Sequence, residues 1–85
     1  MVTVKTTTTW NGEETNWSVG SCENEYVFED HKTVSQTCCL EKGFNLIVCK
    51  EAEGRGWMGG YLEINGQKFC DNWWRGFSKE EYVNI

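Results

Sequence analysis

The side chains with chemistry to offer are concentrated in cysteine and tryptophan. Cys22, Cys38, Cys39, Cys49 and Cys70 stand in one short chain with none of the paired spacings that hold zinc, and this pattern predicts a disulfide framework made in an oxidising compartment. Five is an odd number, so one thiol is left buried, reactive or joined to another chain, the last giving a homo-oligomer. Two bridges drawn from five cysteines allow fifteen arrangements (five choices of the odd one, three pairings of the rest). Adjacent Cys38 and Cys39 point to opposite faces of an extended segment and so should have different partners. A bridge between Cys49 and Cys70 is expected, because these residues bracket a strand, a Gly-rich loop and a hairpin that read as one unit.

Catalytic chemistry is poorly supplied. The one histidine, His31, lies in the charged run Glu29-Asp30-His31-Lys32 with no serine or cysteine motif beside it, and reads as a solvated surface residue. A non-enzymatic protein is expected. Gly54-Arg55-Gly56-Trp57-Met58-Gly59 fits the G-x-G-x-x-G spacing, but a dinucleotide site needs a helix N-terminus after the glycines, and here a hairpin strand follows. Glu51, Glu53 and Asp71 are the oxygens available for calcium; they are few against the six to eight such an ion takes, so no metal or cofactor is expected and the acidic stretch reads as solvated. Eight basic against thirteen acidic residues give a net charge of −5, the wrong sign for nucleic acid. No run approaches the roughly 18 apolar residues of a membrane span, so membrane insertion is not expected, and no apolar leader follows Met1. A secreted, mature chain fits these features.

Recognition chemistry is better supplied. Of Trp10, Trp17, Trp57, Trp73 and Trp74, some must sit in the core of so small a domain, while Trp57 and one of the pair Trp73 and Trp74 are harder to bury. An exposed indole beside charged groups can stack on the apolar face of a sugar ring while its neighbours read the hydroxyls. Candidate ligand-binding residues are therefore Trp57, Arg55, Glu53, Trp73 and Trp74, with Trp57 expected at the surface among its glycines. The same groups would serve a contact with an extracellular protein. Asn16-Trp17-Ser18 matches the N-glycosylation sequon.

These residues need positioning, and the pattern of the chain is that of an all-β domain. At 85 residues it is a single domain, residues 1–85, that buries about 60 % of its unfolded surface and needs the disulfides as staples. Phe44 to Cys49 alternates with apolar residues on both sides and belongs inside a sheet. Asn65-Gly66 is the preferred type I′ pair, and a two-residue turn there sets Ile64 opposite Gln67, Glu63 opposite Lys68, Leu62 opposite Phe69 and Tyr61 opposite Cys70. Val2 to Trp10 is β-branched almost throughout and predicts an edge strand. Asn11-Gly12 predicts a turn into a second strand near Asn16 to Val19, and the remainder predicts a meander of short strands. Ser78 and Glu81 fit a capping box, so a single helical turn and a last β-strand compete for the C-terminus.

Cys38-Cys39-Leu40, Gly43, Leu46, Cys49, Gly54, Gly56-Trp57, Gly59-Gly60, Ile64, Gly66 and Phe69-Cys70 together resemble a recurring extracellular module of multi-domain proteins in marine invertebrates and protists. The resemblance covers about the C-terminal half. It implies a secreted, disulfide-stabilised antiparallel β-sandwich, jelly-roll or CUB-like. Arg55 and Met58 stand where that module offers Asp and Asn, which removes two oxygen ligands. The function expected is a secreted recognition module for carbohydrate or a cell-surface ligand. A structural subunit of an extracellular matrix or filament is the alternative, and a small secreted toxin or effector a third.

Overall fold

Extended backbone forms wherever β-branched and aromatic residues alternate with polar ones. A computed structural model describes all 85 residues, Met1–Ile85. Its strands are β1 (Val2–Thr7), β2 (Thr15–Val19), β3 (Cys22–Glu23), β4 (Thr33–Cys38), β5 (Phe44–Glu51), β6 (Tyr61–Ile64), β7 (Gln67–Phe69) and β8 (Ser78–Asn84). They pair antiparallel into two four-stranded sheets, β4-β1-β6-β7 and β3-β2-β5-β8, which form a β-sandwich. The inward residues Val4, Trp17, Val19, Ile47, Leu62, Ile64, Phe69 and Val83 meet in one core, where transfer from water supplies most of the stability.

The hairpin of β6 and β7 has the register its turn dictates, with Leu62 against Phe69, Glu63 against Lys68 and Ile64 against Gln67. Asn65 (φ 51°) and Gly66 (φ 79°) are both left-handed, as a type I′ turn requires. Regular pairing stops at Phe69. Cys70 is itself left-handed (φ 58°), which swings its side chain off the outer face and into the core, where it bridges Cys49. The second disulfide joins Cys22 on β3 to Cys38 on β4 and so ties the two sheets at one side. Cys38 is buried and Cys39 exposed and free, the opposed orientations that adjacent residues of a strand impose.

Three expectations are corrected. First, β1 is an interior strand, hydrogen-bonded to β4 on one side and β6 on the other. Its buried Thr6 is tolerated because the Trp17 indole N–H donates to Thr6 Oγ1 at 2.9 Å, across from the other sheet. Second, Asn11-Gly12 makes no hairpin. Asn11 is left-handed, but Gly12 enters a 3-10 turn, Gly12–Glu14, that carries the chain from one sheet to the other. Asp30 Oδ1 accepts the Gly12 N–H at 2.7 Å, and a Cβ on Gly12 would lie 2.4 Å from the Glu29 carbonyl oxygen, so contacts with a distant loop override the dipeptide's own preference. Third, the strands do not form a meander. Only β2–β3 and β6–β7 are neighbours in both sequence and sheet, and the link Glu41-Lys42-Gly43 crosses between sheets. Of the two readings of the C-terminus, the strand holds: it is β8, with no helical turn. Seven residues of β8 pair with β5, and Glu81 accepts the Cys70 N–H at 2.5 Å, so it is unavailable as a helix cap.

The antiparallel order sorts the connections by length. The turn at Gly20-Ser21, the link 39–43 and the turn Asn65-Gly66 lie at one end of the sandwich. The longer segments 8–14, 24–32, 52–60 and 70–77 all meet at the other. That second end is called the loop end below.

Candidate functional site

The loop end is built upward from two buried indoles. Trp57 is only 3 % exposed and Trp73 only 7 %, with ring centroids 6.2 Å apart and planes tilted by 43°. The Trp57 Nε1–H donates to the Lys50 carbonyl (3.0 Å), and the Trp73 Nε1–H to that of Arg75 (2.7 Å), so both polar edges are satisfied inside. Two further bonds converge on the Trp73 carbonyl, from the N–H groups of Trp57 (2.9 Å) and Met58 (3.0 Å). Arg55 also makes a parallel bridge to Gly76. The Gly-rich loop is thus stitched to the segment after Cys70. Gly56 is needed at that seam, because its φ is 65° and a Cβ would lie 2.5 Å from the Trp73 carbonyl oxygen.

This corrects the expected exposure of Trp57. Its glycines do not describe a free surface loop; they let two backbones approach closely enough to trap the indole between them. Trp57 and Trp73 therefore act as the floor of the loop end. Of the five sequence candidates, Trp74 (63 % exposed), Arg55 and Glu53 remain at the surface.

Trp74 is exposed but not loose. A Cβ on Gly59 would stand 3.5 Å from its Cη2 and 3.7 Å from Thr9 Cγ2, so the far end of the indole lies against Gly59 beside the Thr9 methyl. Thr9 is fixed in turn, its hydroxyl donating to the Met58 carbonyl at 2.7 Å. Three further exposed rings lie on segments of this end, Trp10, Tyr26 and Phe77, and none was singled out in the sequence. Trp10 stands edge-on to His31 with centroids 4.4 Å apart, and Phe77 covers Gly54 closely enough that a Cβ there would reach its ring at 2.9 Å. No local pattern singles them out, because each is exposed only through the path of a loop set by remote strands.

Charge is arranged around one buried carboxylate. Glu51, the last residue of β5, is 2 % exposed, and its Oε1 accepts the N–H groups of Glu53 (2.8 Å) and Arg55 (2.9 Å), shaping the turn into the Gly-rich loop. Arg55 Nη1 reaches both oxygens of Glu14, at 2.7 and 3.0 Å. The hydrogen bond with Glu51 pushes the Glu14 carboxyl above its ordinary value of 4.5, aided by burial and opposed by Arg55. Burial pushes Glu51 upward too, but hydrogen bonds from Glu14 and from the Arg55 and Glu53 backbones outweigh it and hold Glu51 below that value. Glu51, Glu53 and Asp71 form no cluster of three ligands for a metal ion.

No protein-family model, curated protein or solved structure matches this chain. No helix is long and apolar enough to cross a membrane.

Proposed function

We infer that the chain is a secreted, non-enzymatic recognition module that binds carbohydrate on a cell surface or in the extracellular matrix through its loop end. The observation that carries this is the exposed, braced indole of Trp74, backed by Gly59 and Thr9 and sharing its end of the sandwich with Trp10, Phe77, Arg55, Arg75 and Glu53. An indole held by its rim offers an apolar face without the entropy loss of ordering a free side chain, and pre-ordering of this kind raises affinity. Ionic and amide groups nearby suit the hydroxyls of a sugar. The two disulfides agree with an oxidising compartment, as does the resemblance of the Gly54-to-Gly60 loop to an extracellular module. A glycan array tests this directly, with Trp74→Ala run beside the parent chain. The expected result is a defined set of bound glycans, weakened at least tenfold by Trp74→Ala with the melting temperature unchanged. An array with no bound glycan, or binding untouched by both Trp74→Ala and Trp10→Ala, would overturn it.

One feature favours a role as a subunit of an extracellular assembly. Cys39 is free and exposed away from the loop end, where Phe44 and Tyr82 also lie open on the outer face of the β5 sheet. A disulfide-linked oligomer on a non-reducing gel, abolished by Cys39→Ser, would support that role.

A further inference from the structure

The charge beneath the loop end does not balance. Glu51 Oε1 has two N–H donors, yet Oε2 is buried with none while every carboxyl is ionised. Native structures rarely leave a buried acceptor dry, because the bond once made to water is then lost outright. The surroundings of Glu51 narrow the remedy. The 3-10 turn contributes Glu14, set beside Glu51 by the Ala52 N–H bond to its carbonyl (3.0 Å) and by Arg55, which donates to both carboxyls, and Glu13, which is exposed. The Gly-rich loop contributes exposed Glu53 and Arg55, whose Nη1 is engaged by Glu14. From the β8 side comes the Phe77 carbonyl, which accepts the Glu51 N–H at 2.9 Å, while Lys79 Nζ reaches the Asp71 carbonyl at 3.4 Å. Arg75 and Lys50 are exposed, Lys50 on the opposite face of β5. Two carboxylates thus share one guanidinium, and one buried oxygen lacks a donor. A metal ion fits badly, since Arg55 already supplies the cation and no third acidic ligand joins the pair.

We propose that Glu14 and Glu51 are a proton-binding pair, in which one proton carried by Glu14 is donated to Glu51 Oε2 and fastens the turn after β1 to the Gly-rich loop. With it bound, Glu14, Glu51 and Arg55 are neutral together and every buried oxygen is partnered. Losing it sets two carboxylates against one guanidinium and loosens this side-chain link, while the Gly12 N–H to Asp30 and Ala52 N–H to Glu14 carbonyl bonds still hold the turn. The loop end is then held most firmly in mild acid. Its consequence for a ligand, tighter binding in mild acid than at neutrality, rests on the recognition role inferred above, whereas the titration of the pair does not.

The direction with pH follows from the two opposite shifts. A group raised in the folded state adds stability below its unfolded value and loses it as pH climbs through the folded one. Glu14 behaves in this way, giving up its contribution from 4.5 upward. Glu51 is lowered and does the reverse, its contribution disappearing as pH falls below 4.5 through the folded value. The pair is strongest near 4.5 and weaker on both sides.

Carbon-13 labelling of the glutamate carboxyls and an NMR titration of the intact chain test the pair without any ligand. Glu14 should titrate above 4.5 and Glu51 below it, each curve showing two steps because the sites are coupled. Glu14→Gln supplies a permanent N–H donor that cannot ionise. Relative to this variant, the parent chain should lose several degrees of melting temperature between pH 4.5 and 7.5. A Glu14 midpoint at or below 4.5, or a melting difference that stays flat with pH, would overturn the pair; if the variant does not fold, the titration of the parent chain decides alone. Failure on the glycan array with the titration as expected would remove the recognition role and leave the pair standing.

Discussion

Replacing Trp57 by alanine separates scaffold from surface at the residue on which the loop end is built. The side chain is buried against Trp73, and its N–H is bonded to the Lys50 carbonyl, so truncation empties a large volume and removes that bond. Buried Trp→Ala changes cost about 3–5 kcal/mol. A domain of this length has roughly 4–13 kcal/mol in total, taking about 0.05–0.15 kcal/mol per residue. The loss is then a large share of what holds the fold. At about 4–8 °C per kcal/mol for domains of this size, the melting temperature should fall by roughly 12–40 °C. Urea unfolding should agree, with a midpoint lower by about 1–5 M for a slope in the small-protein range of about 1–3 kcal/mol/M. Both should be run without reductant, so that the disulfides constrain the unfolded chain equally in parent and variant. Trp57→Phe keeps most of the ring but not the N–H and should fall between. A Trp57→Ala chain that melts within about 2 °C of the parent would refute the scaffold role, since only exposed side chains cost as little as about 0.5 kcal/mol.

Trp74→Ala is the matched control, expected to stay within about 0.5 kcal/mol of the parent by the same urea titration. Gly66→Ala should cost about 1 kcal/mol, because φ is 79° and a Cβ there meets nothing within 4 Å, leaving only the conformational penalty. Gly56→Ala adds a collision with the Trp73 carbonyl to the same penalty, so its thermal midpoint should lie well below that of Gly66→Ala. Equal midpoints would mean that the seam between the two loops yields easily. Replacing Cys49 and Cys70 together by serine should cost about 3 kcal/mol on the chain-entropy account, given a sequence separation of 21, and this too is read by denaturant unfolding.

Local pattern determined much of this fold. The hairpin of β6 and β7 was legible to the residue, since the Asn65-Gly66 turn sets the register and alternation then assigns every face. The opposed directions of Cys38 and Cys39, the strand from Thr15 to Val19 and the β5 strand inside a sheet follow from the same period of two. The Cys49–Cys70 bridge was legible as a pairing but not as a geometry, because it depends on a left-handed Cys70 beyond the strand's end.

What tertiary structure decided is everything that requires a distant partner. Asn11-Gly12 and Asn65-Gly66 are the same dipeptide. The second turns a hairpin because nothing touches it, while the first is captured by Asp30 and Glu29 and becomes a crossing between sheets. Ser78 and Glu81 carry a helix-start pattern, but seven backbone pairings with β5 outweigh one cap, and Glu81 bonds Cys70 instead. Trp57 shows the limit best. Its glycine neighbours mark close approach of backbone equally well for a loop opening to solvent and for one closing over an indole. Only the return of the chain at Trp73, sixteen residues later, selects the second, because burial belongs to the packed pair and not to either segment alone.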